Sequence, residues 1–113
     1  MKADKELEDF IAQHVKSLLL WELLVFLSNN PGITDNAEGI ASRLGRRAED
    51  LRPPLTHLHA KQILKQWGDA KDPVYAYQPS PKQARAIEKF MQFNNSKQGK
   101  LIIWSQLLKH GMR

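Results

Sequence analysis

A run of ten residues, Leu18 to Leu27, limits most strongly what this chain can fold into. Nine of the ten are apolar, and Glu22 is the one charge among them. The run is about half of the roughly 20 residues that a membrane span needs, so it predicts a core helix of a globular protein. Because such a helix is apolar on nearly every side, it must be buried on more than one side. One cover is the domain's own core, and the other is the C-terminal helix or a partner chain.

The overall composition fits one small domain inside a cell. The chain has 113 residues, of which 42% are hydrophobic and 26% are charged, a balance typical of a globular domain rather than of a disordered chain. There is no cysteine, which excludes disulfides and thiolate metal sites. The segment Met1–Glu8 carries charges of both signs and has no apolar signal-peptide core. We therefore expect a soluble cytoplasmic protein without a membrane span.

The first half of the chain predicts helices separated by strong breakers. Helical periodicity covers residues 5–28 and stops at an Asn-Asn-Pro-Gly sequence. A short second helix is expected over about residues 36–44, with Thr34 or Asp35 as its cap. Gly45 follows at the position where a helix end favours a left-handed residue. A tight turn therefore separates the second helix from the next one.

The second half predicts a third helix, a β-hairpin and two further helices. The third helix begins near residue 48, and strands are expected over residues 63–67 and 74–77, joined by a polar loop. A serine–proline pair starts the next helix. Residues 94–99 predict a break before a last helix over 101–108. The expected fold class is α+β, mostly α, with a three-helix core, a hairpin and terminal helices around them.

Two segments have a recognisable pattern: one covers the second helix, and the other covers the end of the third helix and the residues after it. The first is Ala37–Gly45, AEGIASRLG, which contains IA-x-x-LG. The second is Leu55–Leu64, LTHLHAKQIL, in which L-x-x-L is followed by an isoleucine–leucine pair. Together they resemble the winged helix-turn-helix superfamily of prokaryotic transcription regulators, over about residues 18–80. The resemblance implies a winged helix-turn-helix fold, in which the hairpin is the wing, and it assigns no subfamily.

The resemblance also implies a DNA-binding surface. In such proteins the helix after the glycine enters the major groove, and the wing tip reaches a neighbouring phosphate. Carried over by position, the expected contact residues are Arg43, Arg46, Arg47, Arg52, Thr56, His57, Lys61 and Lys71. Arginine suits both guanine edges and phosphates. The implied function is sequence-specific regulation of transcription on double-stranded DNA.

One feature departs from the family pattern. Pro53 and Pro54 fall inside the expected recognition helix, where proline removes helical hydrogen bonds and disfavours a helical conformation in the residue before it. Either the helix starts late, with residues 48–51 as a separate turn, or it runs from about Ala48 and bends. Both alternatives shift the arginines relative to an ordinary recognition helix.

The charge distribution suits a polyanionic partner. The net charge is +5, and residues 43–65 carry six basic and two acidic side chains. Residues 82–113 carry seven basic side chains and one acidic side chain. A basic stripe of this kind is typical of nucleic-acid binding. Lysine-rich helix faces in contact with solvent explain the same charges without any partner.

The chain divides into three parts: the N-terminal helix in residues 1–28, the helix-turn-helix and wing in residues 29–80, and the C-terminal helices in residues 81–113. We expect the first and third parts to form a dimer layer around a twofold axis, as in a homodimer that reads two half-sites. The residues expected in that layer are Leu18, Trp21, Val25, Leu101, Trp104 and Leu108.

No constellation of side chains predicts catalysis or metal binding. His57 and His59 lie about 200° apart on a helix, so they do not converge on one ion. We expect His57 to be an exposed polar contact and His59 to be partly buried. His14 and His110 have no ligand partner at a suitable sequence spacing. Without a nucleophile–base pair or a glycine-rich phosphate loop, no enzyme activity, metal or cofactor is expected.

The aromatic residues predict packing rather than base stacking. Tyr75 and Tyr77 share one side of a strand and are expected to pack against the third helix, with Trp67 in the same cluster. Trp21 and Trp104 lie on the two most apolar helices, and they are expected to meet where those helices join.

Two other functions fit the same pattern. The chain could be a winged-helix interaction module that binds another protein instead of DNA, and Pro53–Pro54 fits a helix released from groove binding. It could also be a repressor that senses an unidentified small molecule, with a pocket between the dimer layer and the winged domain. A monomer that ignores DNA would favour the interaction module.

Overall fold

The computed structural model describes residues 5–109, which form an α+β fold that is mostly helical. Three short strands make one antiparallel sheet in the order β1-β3-β2. The elements are α1 (Lys5–His14), α2 (Leu18–Asn29), β1 (Thr34–Asn36), α3 (Ala37–Leu44), α4 (Ala48–Ala60), β2 (Leu64–Trp67), β3 (Val74–Tyr77), α5 (Pro81–Asn95) and α6 (Lys97–Lys109).

The N-terminal segment is two helices, so the prediction of one helix over residues 5–28 is wrong. Ser17 has extended backbone angles, and its hydroxyl accepts a hydrogen bond from the backbone N–H of Leu20 at 3.0 Å. This N-cap starts α2 in a new direction, bent by 117° from α1. No single described helix is long and apolar enough to cross a membrane; α1 and α2 reach that length only as this bent pair.

The start of α3 also differs from the expectation. Thr34 and Asp35 do not cap the helix but belong to β1, in which Asp35 pairs with Tyr75 of β3. The cap is Asn36, whose Oδ1 accepts a hydrogen bond from the backbone N–H of Gly39 at 2.9 Å. The sequence does not predict β1, because a strand of three residues is too short to show alternation of apolar and polar side chains.

Helix α4 is one helix from Ala48 to Ala60, with Pro53 and Pro54 inside it. The late start proposed as one alternative is therefore wrong. The two prolines lack the N–H groups that would bond to the carbonyls of the first turn. The helix persists because Leu51, Leu55 and Leu58 are fully buried on its other side, and packing supplies most of the stability of helices in proteins.

One continuous hydrophobic core includes side chains from all six described helices and from the sheet. Helix α2 has Leu23, Leu24 and Leu27 fully buried, and it packs against α4 on one side and α5 on another. The prediction that this helix is covered on more than one side is thus confirmed. The second cover is α5 of the same chain, which the sequence left open between a C-terminal helix and a partner.

The C-terminal helices begin close to where the sequence predicts them. Ser80 caps α5, with Pro81 in its first turn, as expected. The break falls at Ser96, whose hydroxyl accepts a hydrogen bond from the N–H of Gly99 at 2.9 Å and starts α6 at Lys97. Helix α6 therefore begins four residues before the predicted Leu101.

Candidate nucleic-acid interface

A tight left-handed turn, residues 45–47, connects α3 to α4. Gly45 has φ 67° and ψ 34°, which confirms the left-handed position expected from the sequence. The N–H of Arg46 donates to the carbonyl of Ala41 at 2.9 Å and closes the last turn of α3. Ile40 and Ala41 of α3 are buried, and α3 packs against α4. The turn therefore fixes the direction in which α4 leaves the core.

Asn36 connects the start of α3 to the hairpin loop. While its Oδ1 caps α3, its Nδ2 donates to Oδ2 of Asp72 at 3.0 Å. Within the loop, Asp69 Oδ1 accepts a hydrogen bond from the N–H of Lys71 at 2.9 Å. One side chain thus positions the loop that carries Lys71 relative to the helix that precedes the turn.

The arginines predicted to bind DNA are in three different environments. Arg43 and Arg52 are exposed, and the structure gives them no ion pair among residues 5–109. The Arg47 side chain is 74% exposed and contacts Glu49 and Asp50, each at 3.1 Å. The hydrogen bonds to Asp50 raise the pKa of Arg47. Such exposed pairs exchange readily for a phosphate, because they contribute little to stability.

Arg46 is held differently, by a carboxylate that the sequence did not connect with it. Its guanidinium donates to both oxygens of Glu22 on α2, with the shortest contact at 2.7 Å. This bidentate pair is the strongest geometry for an arginine and a carboxylate, and the hydrogen bonds raise the pKa of Arg46. The lone charge in the apolar run Leu18–Leu27 therefore neutralises one of the predicted DNA contacts.

The outward side of α4 carries few cations. At 100° per residue, the side opposite the three buried leucines has Glu49, Pro53 and Ala60 at its centre, with Thr56 beside them. Arg52 and His59 lie towards one edge of that exposed side. The cations therefore surround α4 instead of lining its middle, an arrangement that suits contacts to phosphates more than contacts to base edges.

His57 does not join the exposed cations. Its Nε2 lies 3.0 Å from Nδ1 of His14 on α1, and the two imidazoles meet edge to face with ring centroids 5.1 Å apart. His14 is 1% exposed, His57 is half-buried and His59 is exposed. The expected exposures of His57 and His59 are thus reversed, and His14 has a histidine partner that sequence spacing could not reveal.

The other predicted polar contacts are exposed. Thr56 and Lys61 are accessible on α4 and just after it, and Lys71 is accessible on the hairpin loop. Tyr75 is buried and Tyr77 packs on the core, with Ser28 of α2 as a hydrogen-bond partner of Tyr77. Their packing against α4 itself stays a prediction. Trp67 is 48% exposed, so its predicted place in that cluster is wrong. It lies opposite Val74 on the outer side of the hairpin, because the register puts the tyrosines on the other side.

The residues predicted for the dimer layer form two groups. Leu101 and Leu108 are each 66% exposed and Trp104 is 39% exposed. Spacings of three and four residues put these three on one side of α6. Leu18, Trp21 and Val25 on α2 are half-buried. The groups meet through Trp21 and Trp104, whose rings pack at 89° with centroids 5.2 Å apart, which confirms their predicted contact.

Among residues 5–109, no group of three or more histidine, aspartate or glutamate side chains could hold a metal ion. Comparison of the chain with protein-family models, with curated proteins and with solved structures gives no significant match. The function is therefore inferred from the chain's own residues: the turn, the exposed cations around α4 and the apolar stripe on α6.

Proposed function

We propose that this protein binds double-stranded DNA through a winged helix-turn-helix and regulates transcription as a homodimer. The order α2–β1–α3–α4–β2–β3 supports the proposal, since it is a three-helix core with a strand before α3 and a hairpin directly after α4. In this interpretation α4 is the recognition helix and the β2–β3 hairpin is the wing.

The single observation that carries the proposal is the turn at residues 45–47 with exposed cations on both sides of it. Gly45 directs α4 away from α3. Arg43 precedes this glycine, and Arg47 and Arg52 follow it. Arg47 is also at the N-terminus of α4, where unpaired backbone N–H groups attract a phosphate. No other segment within residues 5–109 combines a helix N-terminus with three arginines in this way.

The first prediction is a steep salt dependence of DNA binding. We expect the protein to bind fluorescently labelled duplex DNA from the region upstream of its own gene, as measured by anisotropy. The association constant should fall about tenfold for each doubling of salt between 50 and 200 mM, as expected when about four phosphates are neutralised. An unlabelled competitor duplex of scrambled sequence measures specificity in the same titration.

Two results would remove the DNA-binding proposal. One is binding that does not change with salt, because contacts to phosphates release counterions. The other is no measurable binding at 50 mM salt by a sample whose circular dichroism shows folded helices.

A homodimer is supported by the apolar stripe on α6. Leu101, Trp104 and Leu108 recur at the spacing of a helix–helix seam, and the two leucines are mostly exposed within the described chain. Exposed apolar stripes of this kind commonly mark contacts between proteins. A twofold axis across α6 would bring the same stripe of two copies together, which is the symmetry expected for a regulator that reads two half-sites.

The second prediction concerns this stripe. The variant Leu101→Glu/Leu108→Glu should be monomeric by light scattering, because it would bury four unpaired carboxylates in the seam of a dimer. Its thermal midpoint at low protein concentration should be unchanged, since both leucines are mostly exposed. Ile102→Glu is the matched control, because Ile102 lies about 100° from Leu101 around α6. A monomeric wild type, or equal dissociation by the control, would contradict the seam.

A second candidate function is a protein-interaction module without DNA binding. It is favoured by the centre of the exposed side of α4, where Glu49 and Pro53 offer no donor to a base or a phosphate. A folded monomer that fails the DNA titration and is captured by one specific partner would support this candidate instead.

A further inference from the structure

A groove of about 870 Å³ lies between α2, α6 and the turn that follows α3. Its volume is within the range of sites for small molecules, which are lined mainly by apolar and aromatic side chains with a few polar groups. The apolar part of the lining includes Trp21, Val25 and Phe26 from α2, Leu44 from α3 and Trp104 from α6. The edge-to-face pair of Trp21 and Trp104 gives the groove an aromatic wall.

Most of the polar groups in the lining already have partners. Trp21 Nε1 donates to Oδ1 of the buried Asn94 at 2.9 Å, so neither group needs a ligand. Glu22 and Arg46 satisfy each other through their bidentate pair. Because these polar groups are hydrogen-bonded to one another, they hold the wall of the groove in place and do not require a ligand as a hydrogen-bond partner.

Two cations in the lining have no ion-pair partner in the part of the chain that the structure describes. Arg43 at the end of α3 and Lys100 near the start of α6 both line the groove, both are exposed, and the structure gives neither an ion pair within residues 5–109. An apolar groove whose unsatisfied charges are both positive is complementary to a ligand with an apolar body and an anionic end.

We propose that this groove binds a small amphiphilic carboxylate, with its aliphatic or aromatic body against Trp21 and Trp104 and its carboxylate at Arg43 and Lys100. Binding does not depend on the proposed DNA-binding function. Leu44 and Arg46 belong to the same lining, so the ligand would contact the turn that leads into α4. Its role as an effector of transcription is the one step that does rest on the proposed function.

A second copy of the chain is the competing occupant of the groove, and charge disfavours it. Helix α6 has basic residues and no acidic residue between Lys97 and Lys109. Inserting α6 of a second copy would therefore bring lysines against Arg43 and Lys100. Within the α6 stripe, Leu101 and Leu108 are mostly exposed and absent from the groove lining, whereas Trp104 belongs to both surfaces. A dimer through the stripe would therefore border the groove at Trp104.

The test uses the two tryptophans of the groove as reporters. Trp67→Phe removes the tryptophan on the hairpin and leaves only Trp21 and Trp104. In this variant we expect sodium decanoate, kept below micelle-forming concentrations, to change the tryptophan emission with saturation. Decyltrimethylammonium has the same chain length and the opposite charge, and it should bind at least about tenfold more weakly.

The decisive comparison is between two pairs of charge reversals in the Trp67→Phe background. Arg43→Glu/Lys100→Glu should weaken decanoate binding about tenfold or more. Lys65→Glu/Lys109→Glu makes the same change in net charge outside the groove lining, and it should leave the affinity within about twofold. If circular dichroism shows that the first variant is unfolded, Arg43→Gln/Lys100→Gln replaces it, with an expected loss of about fivefold.

Several outcomes would overturn the proposal. They are an emission that does not saturate, equal affinity for the two amphiphiles, and equal losses in the two pairs of variants. A change from dimer to monomer in Arg43→Glu/Lys100→Glu, measured by light scattering, would also overturn it, because it would assign the groove to a second copy. None of these results alters the salt-dependent DNA titration of the wild type. A failure of the proposed carboxylate binding is therefore distinguishable from a failure of the proposed DNA-binding function.

Discussion

Lowering the pH from 7 to 4 is expected to reduce the free energy of unfolding by about 2 to 3 kcal/mol through His14 alone. The structure lowers the pKa of His14 from 6.5 to about 4. The main cause is burial, and repulsion from His57, Lys61 and Lys16 acts in the same direction. A buried imidazole of this kind is stable in its neutral form and resists protonation while the chain is folded.

The geometry around His14 explains why a proton is poorly accommodated. The ring is 1% exposed, with the ring of Phe10 at 4.5 Å between centroids and His57 Nε2 at 3.0 Å. In the neutral pair, one imidazole nitrogen donates and the other accepts. Protonation of one ring leaves a donor and an acceptor at this contact, but it places a charge in a buried site to which Lys16 and Lys61 already add positive charge. Protonation of both rings would place two donors against each other. Burial also lowers the pKa of His57, so both rings favour the neutral pair.

The sign of the effect follows from proton binding. Between pH 6.5 and about 4 an unfolded His14 binds a proton while the folded one does not. Unfolding therefore takes up a proton in this range, and the stability rises with pH. The contribution of His14 is fully present above pH 6.5, and it is lost as the pH falls through the window to about 4. A group with an unshifted pKa would make no such contribution.

Urea unfolding at pH 7, 6, 5 and 4 measures this effect, and two glutamine variants isolate it. His14→Gln keeps a polar side chain beside His57 but does not titrate, so its stability should depend less on pH than that of the wild type. His59→Gln is the matched control, because His59 is exposed on α4 and lies outside the buried histidine pair. Contributions from all groups that the two proteins share cancel in the difference between wild type and variant. Identical pH dependence in wild type and His14→Gln would contradict the prediction.

The pair of histidines also shows what the sequence could not predict. The pattern around residues 36–44 and 48–60 predicts both helices, and the glycine between them predicts the left-handed turn, because these features depend on local geometry. The partners of those helices depend on tertiary contacts. His14 and His57 are 43 residues apart in the chain, and nothing in their spacing indicates that their nitrogens meet at 3.0 Å.

The same limit applies to the candidate interface. The sequence identifies the arginines by their position around Gly45, and it treats Arg46 and Arg47 as equivalent. The structure separates them, since Arg46 is bound by Glu22 from another helix, while the ion pairs of Arg47 within residues 5–109 are with neighbours on its own helix. A single charge inside an apolar run was a signal that a cation lies nearby, because an unpaired charge is costly at such a position. It could not indicate which cation.

The break between α1 and α2 was missed for a related reason. Leu7, Phe10 and Ile11 on one helix and Leu20 on the other are all buried, so apolar periodicity continues across the bend. Ser17 was the local signal of a new helix, since serine is a preferred N-cap. The apolar periodicity over residues 5–28 is the stronger signal, so it predicts one continuous helix in spite of this serine.

Replacing Arg47 and Arg52 together by alanine is expected to weaken DNA binding on the order of 100-fold at fixed salt. Each arginine is exposed on or beside α4, and each should contribute about tenfold. The losses should add because the two residues are five positions apart and share no partner among the described contacts. Arg47→Ala should weaken binding to all DNA sequences equally, as expected for a phosphate contact. Arg52→Ala should also reduce the preference for the specific duplex over a scrambled one.

Arg46 provides an internal comparison with an opposite prediction. Arg46→Ala should weaken binding less than Arg47→Ala, because its guanidinium is engaged with Glu22. Glu22→Gln should strengthen binding, since it releases Arg46 and removes a negative charge near the DNA. Should Arg46→Ala prove the most damaging change, Arg46 must leave Glu22 in the complex, and α2 would then be coupled to DNA binding.

Removing the same number of positive charges from another helix distinguishes DNA binding by a specific surface from a general attraction of DNA to a basic protein. Lys97→Ala/Lys109→Ala removes two positive charges from α6, as many as Arg47→Ala/Arg52→Ala removes around α4. If α4 enters the major groove of DNA, the variant on α6 should bind DNA with an affinity within about threefold of the wild type. The lysines of α6 would then act only through screened, long-range attraction. Equal losses in both variants would mean that DNA responds to net charge and not to the surface after Gly45. The exposed arginines would then be solvated groups on a turn, and α4 would not be a recognition helix.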